Sequence, residues 1–210
     1  MPLTLGPLEP YHLPALRRWR ALPAIAAHLR HPEPQSEAAH WAWYQALAAD
    51  PATRMYAVEQ VSSGTPCHIG VAGLCHINHG TLSAELSVLV VDPETSREDF
   101  PAETEVVRLL CVQAFDGLGL RRVWAEVYHT VAGRRRPFHD TLPEVGTIPD
   151  AVFRAGRWWP STRYSLTEPQ WRQSRGISAA SCTTVSAPPS APPSSWSQAG
   201  PPSASSLPCS

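Results

Sequence analysis

Lysine is missing from this chain. All seventeen basic residues are arginine, so catalysis through a lysine Schiff base is excluded. A basic surplus is missing too. The formal net charge is −1, and without excess cations to neutralise phosphates, neither nucleic acid nor an anionic membrane surface is an expected partner. No apolar run approaches the ~18 residues of a membrane-crossing helix. A paired cysteine framework is also lacking: Cys67, Cys75, Cys111, Cys182 and Cys209 are odd in number and irregularly spaced, with no leader-like segment. That pattern is expected of a reducing, cytoplasmic setting. There is no G-x-S-x-G elbow to present a serine nucleophile.

What is present divides at Trp171. From Gln173 to Ser210 the chain has twelve serines, seven prolines and no acidic residue. Such a segment buries too little apolar surface to offset its ordering entropy, so 172–210 is expected to be a disordered tail. Residues 3–171 alternate in type and are expected to form one domain. "LTLGPLE" reads as an opening strand. "YHLPALRRWRALPAIAAHLR" places Leu13, Leu16 and Trp19 at helical spacing, with Pro14 in the first turn. "QSEAAHWAWYQALAAD" reads as a second helix, with Ser36 as N-cap and Trp43 and Leu47 on one face.

"RMYAVEQ", "HIGVAGLCHINH" and "TLSAELSVLVVDP" read as an antiparallel meander. The helix "AETEVVRLLCVQAFDGLG" follows, with an apolar stripe of Val107, Leu110, Cys111, Ala114 and Leu118, and Gly117 and Gly119 as its stop. "RRVWAEVY" is a strand. A short helix is expected before Pro137, and "AVFRAGRW" with "STRYSLT" reads as a closing hairpin. The fold class is therefore α/β (α+β), one mixed, mainly antiparallel sheet with helices on both faces.

Two constellations invite chemistry. Cys67-His68, Cys75-His76 and His79 bring soft ligand types together, but their spacing fits no zinc framework and strand alternation points several apart; no metal is expected. Trp19, Trp41, Trp43 and Tyr44 read mostly as core anchors at helical spacing, with one of them open to lining a pocket, and Trp158 and Trp159 are open between the same two readings. The other constellation is "VVDPETSREDFPAETEVVRLL", a strand, a polar loop and a helix. That arrangement commonly binds phosphate at the helix N-terminus. This loop has no glycine and instead carries Glu94, Glu98, Asp99 and Pro101, which are also good helix-start chemistry.

The runs "LPALRRWRALPAI", "HWAWYQALAAD", "IGVAGLCHIN", "AELSVLVVDP", "TEVVRLLCVQAFDGLGLRRVWAEVY" and "DAVFRAGRWWPSTRYSLTEPQW", in this order, resemble the GCN5-related N-acetyltransferases. Within them the resemblance is to the group acting on ribosomal-protein N-termini or amino-sugars. It implies acetyl-CoA as co-substrate and a fourth strand splayed from the fifth, with the acetyl-pantetheine arm in the gap. The arm would pair with the backbone of Leu89, Val90 and Val91, and Glu85 would be the general base toward the amine.

The family's pyrophosphate loop maps onto Arg97 and Ala102 and runs into Glu103 and Thr104 at the helix start, with Phe100 in place of the middle glycine. Where the family has an asparagine and then a tyrosine acid, this chain has Thr130 and Pro137 or Phe138. Tyr128, His129 and His139 are substitutes for the acid, and Arg134, Arg135 and Arg136 are candidates for a CoA phosphate. The acceptor implied is a small-molecule or peptide amine, and a homodimer is compatible with the family. The competing reading is an interaction module of the same fold with little or no turnover.

Overall fold

The computed structural model describes residues 2–27, 29–62, 65–91, 102–130 and 136–176. Outside them lie Arg97 and most of the glycine-free loop, Arg134 and Arg135, and the Ser/Pro-rich tail beyond Gly176.

Seven strands form one sheet in the order β1-β2-β3-β4-β5-β7-β6. β1 is Leu3–Pro7, β2 Arg54–Ser62, β3 Thr65–Asn78, β4 Ser83–Val91, β5 Arg122–Tyr128, β6 Glu144–Arg154 and β7 Arg157–Thr167. Five of the six neighbouring pairs are antiparallel. The exception, β4 with β5, is parallel because the helix α4, Ala102–Val112, crosses between them.

The central strands are apolar on both faces because helices cover both. In β2, Ala57 packs with Leu16 and Trp19 of α1 (Leu13–Arg20), while the next residue, Val58, joins the cluster containing Val106 and Leu110 of α4. Val71 and Ala72 of β3 divide the same way. This is the two-sided burial that turns strand alternation into a continuous apolar run. Four of the five expected stripe residues, Val107, Leu110, Cys111 and Ala114, are fully buried and joined by Val106, whereas Leu118 lies past the helical turns and is partly buried. The helix then widens into a π turn at Gln113–Gly117 and stops at Gly119, whose φ of 63° suits glycine.

Four elements differ from the sequence expectation. The N-terminal helical run is broken: a 3-10 turn at Pro10–His12, then α1, then a separate α2 at Pro23–Ala26 whose proline occupies the first turn. The helix near Pro137 does not precede it. As α5, Arg136–His139, it contains that proline near its start. The closing hairpin is longer, with β6 beginning at Glu144. Finally α6, Glu168–Ser174, docks Trp171 on Phe115 at 5.9 Å and is opened by a Thr167–Gln170 capping box.

The aromatic residues divide as well. Trp19 is core, but Trp41 and Trp158 are 43% and 58% exposed and do not anchor it. Ser36 caps α3, Glu37–Leu47, accepting from the Ala39 amide at 3.1 Å as expected. Trp43 and Leu47 pack inward from that helix. No helix among the described residues is long and apolar enough to cross a membrane.

Candidate active site

The pairing of β4 with β5 runs from Ser83–Arg122 to Glu85–Trp124, and among the described residues no further β4–β5 pair forms. Beyond that point β4 stays paired with β3 as far as Val91, and β5 stays paired with β7 as far as Tyr128. The sheet therefore forks at Glu85, the position the sequence singled out.

A cavity of about 530 Å³ opens at the fork on the face covered by α1–α3. Its floor includes Cys75, Glu85, Ser87, Glu126 and Tyr128. Arg20, Arg30, His40 and Trp43 come from the helical side. Glu85 is 6% exposed. Burying a carboxylate is costly unless it is paired, and Glu85 has two partners. Arg30 Nη2 donates to Oε1 at 2.7 Å with Nη1 at 3.4 Å from Oε2, and His76 Nδ1 lies 2.7 Å from Oε2. As the carboxylate partner of Arg30, Glu85 can only accept, so His76 donates from Nδ1, and its Nε2 has no hydrogen-bond partner among the described residues. Burial opposes the Arg30 charge, but the Glu85 hydrogen bond and charge, with Tyr128, more than offset it and raise its pKa.

His76 reaches Glu85 because of a break in β3. The register shifts between Cys75 and Asn78, and His76 has a φ of 51°. Regular alternation would send residue 76 to the face opposite Cys75, the direct cross-strand partner of Glu85. The irregularity turns the imidazole back toward the cavity. Cys75 is not a nucleophile here: burial and the Glu85 charge push its thiol up to about 11, so it stays protonated at neutral pH. The two Cys-His pairs diverge, since His68 bonds the Gly70 carbonyl at 2.9 Å and packs on Trp19 and His12.

The remaining sequence-predicted positions fall as follows. Leu89, Val90 and Val91 extend β4 past the fork, with the backbones of Val90 and Val91 paired to Val71 and Gly70. Ala102, Glu103 and Thr104 form the first turn of α4, where Ala102 and Thr104 are buried in the fold. Arg97 lies outside the described residues. Among the three substitutes for the acid, only Tyr128 lines the cavity. His129 bonds Thr162 Oγ1 at 2.8 Å and His139 is exposed. Phe138 borders the cavity and is 6% exposed, with its ring 6.4 Å from that of Tyr164. Thr130 bonds the Ala27 carbonyl at 2.8 Å, tying the end of β5 to the helical side. Arg30 and His76 were missed by sequence reading: Arg30 lies 55 residues from Glu85, and no local pattern announces the bulge.

A protein-family model described as an acetyltransferase (GNAT) domain matches residues 2–136. A search of curated proteins returned no significant match. Among solved structures, the chain is similar to spermidine N-acetyltransferase from Vibrio cholerae in complex with CoA and spermine. That match has a TM-score of 0.72 at 21% identity, covering 80% of this chain and 97% of that one. It is also similar to a probable acetyltransferase (GNAT family) from Chromobacterium violaceum, at a TM-score of 0.65 and 24% identity, covering 81% and 85%. A dodecameric form of the Vibrio cholerae enzyme matches with a TM-score of 0.63 at 22% identity, covering 80% and 95%. At these identities the structures speak to the fold alone. The family model spans well over half the chain, and on that ground the chain belongs to the GNAT family of acetyltransferases.

Proposed function

We propose that this protein transfers the acetyl group of acetyl-CoA to a primary amine held in the cavity at the β4–β5 fork, with Glu85 and His76 as its base. The observation that carries this is the position of the pair. A nearly buried carboxylate sits where the strands separate, hydrogen-bonded to an imidazole whose other nitrogen is free. The co-substrate supplies an activated thioester carbon. The chain's residues orient the acceptor and move its proton. Glu85 fixes the His76 tautomer, and Nε2 accepts the proton released as the amine forms its new bond to the acetyl carbon. Tyr128, in the same cavity, is the candidate donor to the departing thiolate.

Backbone of Leu89, Val90 and Val91 along the fork, together with Ala102, Glu103 and Thr104 in the first turn of α4 and with Arg97, which lies outside the described residues, is the proposed binding surface for the co-substrate. The gap between diverging strands supports it by leaving room for an extended arm. Arg136 at the start of α5 is a further candidate for its phosphates. Cytoplasmic residence and a homodimer belong to the same proposal. Free Cys67, Cys75 and Cys111 support the reducing setting, and the oligomeric Vibrio cholerae relative supports self-association.

The test is release of free thiol from acetyl-CoA in the presence of an amine panel, alongside thermal melting with acetyl-CoA. A single-site ligand at 100 times its Kd adds ~2.7 kcal/mol of stability. Thiol release that depends on an amine is expected. Neither release nor a melting shift at millimolar acetyl-CoA would leave the fold acting as an interaction module instead.

A further inference from the structure

Two of the cavity's carboxylates already have partners. Glu85 is held by Arg30 and His76, and Glu126 accepts from Ser161 Oγ at 2.7 Å and pairs with Arg163 at 3.3 Å. The third lining carboxylate, Asp50, has no cation within ion-pair distance among the described residues, and its Oδ1 accepts from the Ala52 amide. Arg20 is the opposite case. It ends α1, is half-buried and lines the cavity. Its described hydrogen bond is Nη2 to the His31 carbonyl at 3.3 Å, which uses one of five N–H donors.

Among the described residues no carboxylate pairs with Arg20. Glu33 borders an adjoining recess with it but forms no ion pair. Burial lowers the Arg20 pKa, with no acid opposing the effect. A guanidinium withdrawn from water without a counter-charge is destabilising. Its planar fork matches a carboxylate or a phosphate with two parallel hydrogen bonds.

Beside it stands His40, 3% exposed, lining the same cavity and stacked on Trp43 at 5.3 Å. Burial, then the charges of Arg20 and Arg17, lower its pKa, so it faces the cavity as a neutral imidazole able to donate or accept.

We propose that Arg20 with His40 forms an anion-binding corner of the acceptor pocket, and that the acceptor is an amine also carrying a carboxylate or a phosphate. This rests on the acetyl-transfer reading above. It sets this chain apart from a protein built for a polycation, which here would meet one unpaired carboxylate, Asp50, and two arginines.

The experiment has two arms. In the first, thiol release is measured with matched amines: glutamate against glutamine amide, glucosamine 6-phosphate against glucosamine, and spermidine. At least a tenfold preference in kcat/KM for an anionic member is expected, expressed mainly in KM. That ratio should collapse in Arg20→Gln and be retained in part in Arg20→Lys. The two pairs distinguish carboxylate from phosphate. Equal or better rates with the neutral amines or spermidine would overturn the proposal.

The second arm needs no turnover. Melting is followed with CoA plus N-acetylglutamate, N-acetylglucosamine 6-phosphate or N-acetylglucosamine. A rise confined to an anionic compound and lost in Arg20→Gln supports the corner, while no Arg20-dependent rise overturns it. If that rise appears although no amine is acetylated, acetyl transfer falls and the anion site stands.

Discussion

Glu85 and His76 are joined by one 2.7 Å hydrogen bond, across a break in β3 that places an exposed imidazole over a nearly buried carboxylate. Two substitutions separate their roles. Glu85→Gln keeps the shape but loses the charge that holds the Nδ1–H tautomer, and acetyl transfer should fall more than tenfold while the protein remains folded by circular dichroism. His76→Asn should lower kcat about tenfold or more with little change in KM, as expected for a group that moves a proton. Turnover unchanged in both variants would take the pair out of the mechanism.

Tyr128 ends β5 inside the cavity. Tyr128→Phe removes a hydroxyl without changing the ring, and a loss of about tenfold in kcat with little change in KM is expected if that hydroxyl serves the leaving thiolate. Steady-state kinetics with a saturating amine checks it. An unaltered kcat would assign protonation of the thiolate to solvent.

Stability should fall on mild acidification because of His68. Burial, then the neighbouring His12 charge, opposed by the Gly70 carbonyl, lower its pKa to about 4 from the ordinary 6.5. A depressed folded-state pKa means that the unfolded chain takes up the proton first. The contribution is complete above about pH 6.5 and is lost as pH falls toward 4. His12 and His40 are shifted in the same direction. Melting temperatures at pH 7.5, 5.5 and 4.5 should decline, and His68→Asn should flatten the decline. A slope identical to that of the parent protein would exclude His68 as a source.

Gly73 faces Met55 across the β2–β3 pair. A Cβ there would press on Met55 Sδ and stand 2.5 Å from the Arg54 carbonyl. Gly73→Ala is therefore expected to cost about 1–3 kcal/mol as an overpacked position, seen as a lower melting temperature. Because Met55 lines the cavity, KM for the acceptor should rise as well. A melting temperature equal to the parent's would show that the strands adjust freely.

Those features that repeat were legible in the sequence. The α4 helix, the Ser36 cap and the meander follow from period and local chemistry, whereas Glu85 was singled out only through the family resemblance. Features made by tertiary proximity were not. Arg30 reaches Glu85 across 55 positions, Arg20 stands out only once the acids around it are seen to be paired, and the turn of His76 opposes the alternation that the sequence suggested. Trp41 and Trp158, open in the sequence between core and pocket, are exposed instead: an aromatic side chain at helical or strand spacing states its size, while exposure is decided by what the fold lays over it.

The fork has a mechanical side. Among the described residues, three pairs, Ser83–Arg122 to Glu85–Trp124, form the seam between a ribbon of four strands and a ribbon of three. Neither ribbon is continuous with the other at the far end of that seam. A chain-like ligand lying in the gap would act as a splint, extending the seam to the end of β4. Occupancy would then be felt as stiffness across the full width of the sheet as well as at the Glu85–His76 pair.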